Sequence, residues 1–231
     1  MALFHVPNIS TECILPEEES THAIKVLRLK TGDRIQLVDG VGGFYNAVIT
    51  TPHHKHCGFE ITETLVDTSK RNYNLHIAIA PTKNIERLEW FIEKATEIGI
   101  DQITPIICRN SERKVVKAER LEKIIVSAAK QSLKAKFPVL NPDCTFIEFV
   151  NTYHADQQFI AHCYNDEKKL LKAAVKPTSS VIILIGPEGD FSREEVELAL
   201  KTNYHPISLG DSRLRTETAG VVACCTVQLM N

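Results

Sequence analysis

Hydrophobic and polar positions along the chain follow two patterns that meet near residue 70. Before that point, short alternating runs rich in β-branched and aromatic residues predict strands at RIQLVD (34–39), FYNAVITT (44–51) and FEITETL (59–65). GVGG (40–43) and HHKHCG (53–58) have turn composition and separate them. Ahead of the strands, STHAIKVLRLKTGD (20–33) predicts one short helix, with Ala23, Val26 and Leu27 on one face and TGD as its stop. The expected package is a small barrel or curled sheet over residues 1–70. DTSKRNYN (67–74) is polar and aperiodic, as a linker would be.

From residue 75 the pattern alternates strand and helix, which predicts an α/β domain over 71–231. LHIAIA (75–80) reads as a strand closed by Pro81. Ile85, Leu88, Phe91, Ile92, Ala95 and Ile98 then recur at helical spacing, with Asn84 as N-cap and Gly99 as stop. ITPIIC (103–108) is the next strand, and a helix at about 117–134 turns Leu121, Ile124, Ile125 and Ala128 inward. FIAHC (159–163), VIILIG (181–186) and PISLG (206–210) are continuous apolar runs, as expected of parallel strands covered on both faces. VVACCTVQLM (221–230) is the closing helix.

Bulk properties narrow the class. A formal charge of −2 gives no chain-wide sign of a polyanionic partner, so any basic footprint must be local. Seven cysteines without a C-x-x-C pair argue against a disulfide framework and for a reducing compartment. MALFHVPNIS lacks the marks of a signal peptide, and no apolar run reaches the roughly 18 residues of a membrane span. The expected location is cytoplasmic.

Three junctions could carry chemistry. In IGPEGDFSREEV (185–196) a strand ends at Ile185 and turns at GPEG, with Pro187 suited to the second turn position and Gly189 to the fourth. Ser192 and Glu195 then form a capping box, with Phe191 and Val196 as a hydrophobic staple. This is either a ligand cradle at the end of a strand or a well-made connection. Neither a P-loop nor a G-x-G-x-x-G pattern is present, and Glu188 and Asp190 suit a cationic ligand better than a triphosphate. The second junction is SLGDSRLRTETAG (208–220), where Arg213, Arg215 and Glu217 crowd a strand-to-helix connection. They read either as a structural ion-pair cluster or as surplus positive charge for an oxygen that becomes anionic. The third is His162 at the end of FIAHC. The cluster His53, His54, His56 and Cys57 fits no standard zinc spacing, and no metal site is expected.

GPEGDFSREE followed by SLGDSRLRTETA resembles the two C-terminal motifs of the RsmE family, ribosomal RNA uridine-N3 methyltransferases of the SPOUT superfamily. HAIKVLRLKTGD (22–33), EKATEIGIDQITPIICRNSER (93–113) and KQSLKAKFPVL (130–140) resemble that family's other signatures, so the likeness spans nearly the whole chain. The resemblance implies a PUA-like RNA-binding barrel and a SPOUT domain with a deep trefoil knot at about 159–231. It also implies S-adenosylmethionine as cofactor and a homodimer, with 16S rRNA of the small subunit as substrate and no membrane association. Carried over position by position, it places the cofactor at Ala161, His162, Ile185, Gly186, Leu209, Gly210, Arg213 and Leu214. One departure is Asp190, where the family has a glycine; another is the pair Lys130 and Lys134, flanking a segment the family usually reads as acidic–Gln–Ser…Arg.

For N3 methylation the expected roles are Arg215 on the uracil oxygens, Glu217 as base or as orienting group for Arg215, and Glu188 as second candidate base. RNA phosphates are assigned to Lys25, Arg28 and Arg34 in the barrel and to Arg109, Arg113, Lys114, Arg120, Lys123, Lys130 and Lys134 beyond it. A 2′-O-ribose methyltransferase on the same scaffold and a non-catalytic RNA-binding assembly factor are the alternatives.

Overall fold

The structure is a computed structural model that describes residues 1–9, 12–65 and 71–231. It divides into two compact units, one of residues 1–70 with 126–137, the other of 71–125 with 138–231. The hydrophobic pattern assigned 126–137 to the second unit. The difference arises because the segment's contacts run to the first, where Phe137 N–H donates to Gly40 O at 2.8 Å and Lys130 Nζ meets Glu19 Oε1 at 2.5 Å.

In the first unit, β1 (Leu3–His5) lies parallel to β2 (Arg34–Val38). β2, β3 (Phe44–Thr51) and β4 (Gly58–Leu65) follow as an antiparallel meander. Alternate residues Ile35, Leu37, Ala47, Ile49 and Phe59 close over Phe4 in the core. α1 (Glu17–Thr21) passes directly into a π-helical turn, His22–Val26, in which Leu27 N–H reaches back five residues to His22 O at 3.0 Å. The wider turn rotates the expected apolar face, and Arg28 then leaves the helix at φ 56°. Ala23 is fully buried, but Val26 and Leu27 are exposed, contrary to the expectation from spacing. Of the expected linker, residues 67–70 lie outside the described residues. Arg71 is held in the second unit through Asp101 at 2.7 Å and the Gly99 carbonyl.

The second unit is a parallel sheet in the order β10-β12-β9-β11-β5-β6-β7, with β8 also pairing β6. Its main strands are β5 (Asn74–Ile79), β6 (Gln102–Ile107), β9 (Gln157–Ala161), β11 (Ser180–Ile185) and β12 (His205–Ser208). The short pieces β7 (Val139–Leu140), β8 (Cys144–Thr145) and β10 (Lys169–Leu170) complete it. Five consecutive buried residues in β5 and in β11 account for their unbroken apolar runs.

α2 (Ile85–Ile98) starts where Asn84 Oδ1 accepts from Glu86 N–H at 3.1 Å, and ends at Gly99. α3 (Ala118–Gln131) buries Leu121, Ile125 and Ala128. α4 (Phe146–Thr152) is opened by a Thr145–Glu148 capping box, a signal present in the sequence but attached to too few residues to show a period. α5 (Leu171–Ala174) and α6 (Arg193–Lys201) precede α7 (Thr216–Met230). α7 packs against α2 at Gly220, where any Cβ would come within 2.5 Å of the Phe91 ring.

Candidate active site

β12, β9 and β11 are neighbours and run in one direction, so their C-terminal ends deliver three loops to the same edge of the sheet. These are the segment after Ala161, the turn after Ile185 and the connection from Leu209 to Arg215. They enclose two adjoining cavities of about 380 and 370 Å³ that share Ala161, Cys163, Arg213, Leu214 and Ala219. The first is completed by His162, Leu209 and Gly210; the second by Ile185, Gly186, Glu188, Asp190 and Arg215. All eight positions suggested for a cofactor therefore line one continuous hollow, although they come from three separate stretches of sequence.

Side chains and backbone groups tie the loops together. Thr216 Oγ1 donates to Gly186 O at 3.0 Å, joining the start of α7 to the end of β11. Asp190 N–H donates to Pro187 O at 2.9 Å, so the turn is Pro187–Asp190 and Pro187 is its first residue rather than its second. Asp190 is left-handed at φ 63° and its carboxylate offsets that strain: Oδ2 accepts from Cys163 N–H and Oδ1 from Phe191 N–H, both at 2.8 Å. The aspartate therefore fastens two of the three loops to each other. Asn110 Nδ2 braces the same turn, donating to the carbonyl oxygens of Gly189 at 3.2 Å and Asp190 at 3.0 Å. The expected capping box forms: Glu195 N–H donates to Ser192 Oγ at 3.2 Å and Ser192 N–H to Glu195 Oε2 at 2.7 Å. Gly210, at φ 133°, meets nothing within 4 Å of a built Cβ, so its backbone borders open space.

The charges are distributed differently from what the sequence suggests. Arg213 and Arg215 are exposed, and only Glu217 is buried, at 8% exposure. The cation nearest to Glu217 is Arg87 of α2, whose Nε stands 3.9 Å from Oε1. Glu217 Oε2 is buried without a hydrogen-bond partner, and so is His162 Nδ1. Burial, followed by the nearby Lys168 ammonium, lowers the His162 pKa, which favours the neutral ring. Glu188 Oε1 accepts from Lys83 N–H at 2.9 Å. Arg87 was missed because nothing in the sequence links residues 130 positions apart except the need of a buried carboxylate for a partner.

The ten basic residues considered for RNA separate into groups. In the first unit Lys25, Arg28 and Arg34 are exposed, whereas Lys130 is held by Glu19. In the second, Arg109 pairs with Glu194 at 3.1 Å and Arg120 with Glu89 at 2.5 Å. Arg113 donates to the carbonyls of Thr82 at 3.1 Å and Lys83 at 2.8 Å, while Lys114 is exposed. Lys123 and Lys134 have partners of their own. Among the described residues no cluster suits a metal ion; the rings of His53 and His56 stack at 5.6 Å. Among the described residues no helix is long and apolar enough to cross a membrane.

Comparison with known proteins points the same way. Residues 69–228 match the RNA methyltransferase domain family, and residues 15–62 match the RNA methyltransferase PUA domain. Ribosomal RNA small subunit methyltransferase E of Rickettsia conorii is 30% identical over 94% of this chain and 89% of its own. A crystal structure of a probable rRNA methyltransferase from Porphyromonas gingivalis superposes with a TM-score of 0.92 at 44% identity, covering 100% of this chain and 98% of that one. Ribosomal RNA small subunit methyltransferase E from Neisseria gonorrhoeae, bound to S-adenosyl methionine, gives 0.86 at 25% identity over 99% and 97%. With its two units matched in order and its sheet edge built as described, the chain belongs to the RNA methyltransferase family that includes the ribosomal RNA small subunit methyltransferase E proteins.

Proposed function

We propose that this protein transfers a methyl group from S-adenosylmethionine to N3 of a uridine in 16S rRNA of the small ribosomal subunit. The observation that carries the reading is the pair of adjoining cavities at the ends of β9, β11 and β12, whose lining includes a buried polar atom without a partner, His162 Nδ1. Orphaned buried polar atoms are rare unless a ligand or water serves them. The combined space and its carboxylates, Glu188 and Asp190, fit a cationic cofactor. Ala161, His162, Leu209 and Gly210 would line one part of it, Ile185 and Gly186 another. Bound there, S-adenosylmethionine supplies an electrophilic methyl group.

The chain's own groups must make N3 a nucleophile. Uracil N3 carries a proton at neutral pH, and breaking N3–H places negative charge on O2 and O4. Arg215, exposed at the mouth of the second cavity, suits those oxygens because its fork offers parallel donors and stays charged. Glu188, which lines that cavity and has one oxygen already held by Lys83 N–H, is assigned as acceptor of the departing proton. Burial of Glu217 Oε2 favours an orienting role for Glu217 over direct proton transfer. RNA phosphates are assigned first to Lys25, Arg28, Arg34 and Lys114, the exposed members of the basic set whose side chains make no ion pair or hydrogen bond among the described residues.

Further family features belong to the same reading: a deep trefoil knot at about 159–231, a homodimer, and a cytoplasmic location. The test is incubation of unmodified small subunits with S-adenosylmethionine, followed by nucleoside analysis. N3-methyluridine is the expected product. A 2′-O-methyl nucleoside would select the ribose methyltransferase, and absence of both product and cofactor binding would select an assembly factor.

A further inference from the structure

We infer that Arg87 is a second substrate-facing cation of this site, held in place by Glu217, and that it donates to a uracil carbonyl oxygen as N3 loses its proton. The inference rests on the proposed function. Arg87 sits in the first turn of α2, lines the same cavity as Glu188 and Arg215, and has a side chain 37% exposed. Its ion-pair partner among the described residues is Glu217, and at 3.9 Å from Arg87 Nε to Glu217 Oε1 the contact is too long for a hydrogen bond. A guanidinium serving only to neutralise Glu217 would be expected to bond it directly, and at this distance it does not.

The carboxylate makes the opposite argument. Glu217 is 8% exposed, and Oε2 has no donor. A buried carboxylate without hydrogen bonds is expensive and persists only where something needs its charge. Here it draws the Arg87 guanidinium to the cavity wall without occupying its donors, all of which remain without a hydrogen-bond acceptor among the described residues. Arg87, Arg213 and Arg215 line this cavity together with Glu188 and Asp190. That balance suits a positive donor beside a pyrimidine that is becoming negative.

The N3–H bond breaks and its proton passes to Glu188 or to water, leaving a lone pair on N3. That pair forms the N–CH3 bond while the C–S bond breaks and its electrons remain on sulfur. Arg87 changes no bond; it stabilises the charge on oxygen before methyl transfer. Glu217 is a positioning residue, acting through Arg87.

The test compares wild type, Arg87→Ala, Arg87→Lys and Glu217→Gln on unmodified small subunits. Arg87→Ala is expected to lower kcat about 100-fold, the usual scale for one lost donor to a developing oxyanion. Its pH–rate profile should rise at higher pH than that of wild type, because N3 is harder to deprotonate without the cation. Calorimetric affinity for S-adenosylmethionine should be unchanged, and added guanidinium chloride at low concentration should restore part of the rate. Arg87→Lys keeps the charge without the fork and should fall between, which carries the test if the alanine variant folds poorly. Glu217→Gln should shift the pH profile in the same direction by less. Wild-type turnover in Arg87→Ala overturns the inference, as does a loss that tracks cofactor affinity with no guanidinium rescue. A change confined to the salt dependence of RNA binding also overturns it, since that marks a phosphate contact. Failure of wild type to make N3-methyluridine instead refutes the proposed function.

Discussion

Thr216 Oγ1 donates a 3.0 Å hydrogen bond to the carbonyl oxygen of Gly186, 30 residues earlier in the chain. This bond sets the last helix against the turn that follows β11, and both residues line the second cavity. Thr216→Val keeps the shape and removes the donor. It should lower unfolding free energy by about 1–3 kcal/mol, the range for an acceptor left unmade. It should also weaken S-adenosylmethionine binding, whereas Thr216→Ser should leave both nearly intact. Urea unfolding and calorimetry check this.

Asp190 holds a left-handed backbone position and bridges two loops through one carboxylate. Asp190→Gly and Asp190→Ala both lose the bridge, but only alanine retains the strain. The alanine variant should be the less stable by about 1 kcal/mol. Asp190→Asn should weaken binding of S-adenosylmethionine more than that of S-adenosylhomocysteine, whose sulfur is uncharged. Equal losses for the two would remove Asp190 from the electrostatics of the site.

His76 is buried within β5 at 3% exposure, with Nε2 2.7 Å from Thr104 Oγ1, and burial lowers its pKa to about 4 from 6.5. Above the unfolded value both states hold a neutral ring, so His76 does not affect the pH dependence. Between 6.5 and about 4 the unfolded chain binds the extra proton, and stability falls as acid is added. The full loss is about 3 kcal/mol, complete below the folded pKa. His76→Gln should flatten that part of the profile, measured as the urea midpoint between about pH 7 and about pH 4.

Arg113 and Arg34 were assigned the same role, but their surroundings differ. Arg113 spends its guanidinium on the carbonyls of Thr82 and Lys83, and Lys83 in turn donates to Glu188. Arg113→Ala should therefore lower stability by about 1–3 kcal/mol and disturb turnover. Arg34 is exposed on β2. Arg34→Ala should leave stability unchanged and reduce the salt dependence of RNA binding by a slope of about 1. Binding titrations at several salt concentrations separate the two.

Local chemistry made much of this protein legible before its fold was known. The run from Asn84 to Gly99 announces its own helix because cap, stop and apolar period lie within one short window. The Ser192–Glu195 capping box and the unbroken apolar strands β5 and β11 depend equally on near neighbours. The three junctions were visible as motifs for the same reason. What the motifs could not convey is which of their residues are buried and which residues meet. Arg213 and Arg215 emerge exposed, Glu217 is buried, and its cation comes from Arg87, far away in sequence. The grouping of 126–137 with the first unit and the five-residue turn at His22–Val26 were likewise decided by packing. Propensity and periodicity are properties of a few consecutive residues, whereas desolvation and ion pairing depend on the order in which strands lie side by side. Here the placement of β9 between β12 and β11 is what converts three separate loops into one site.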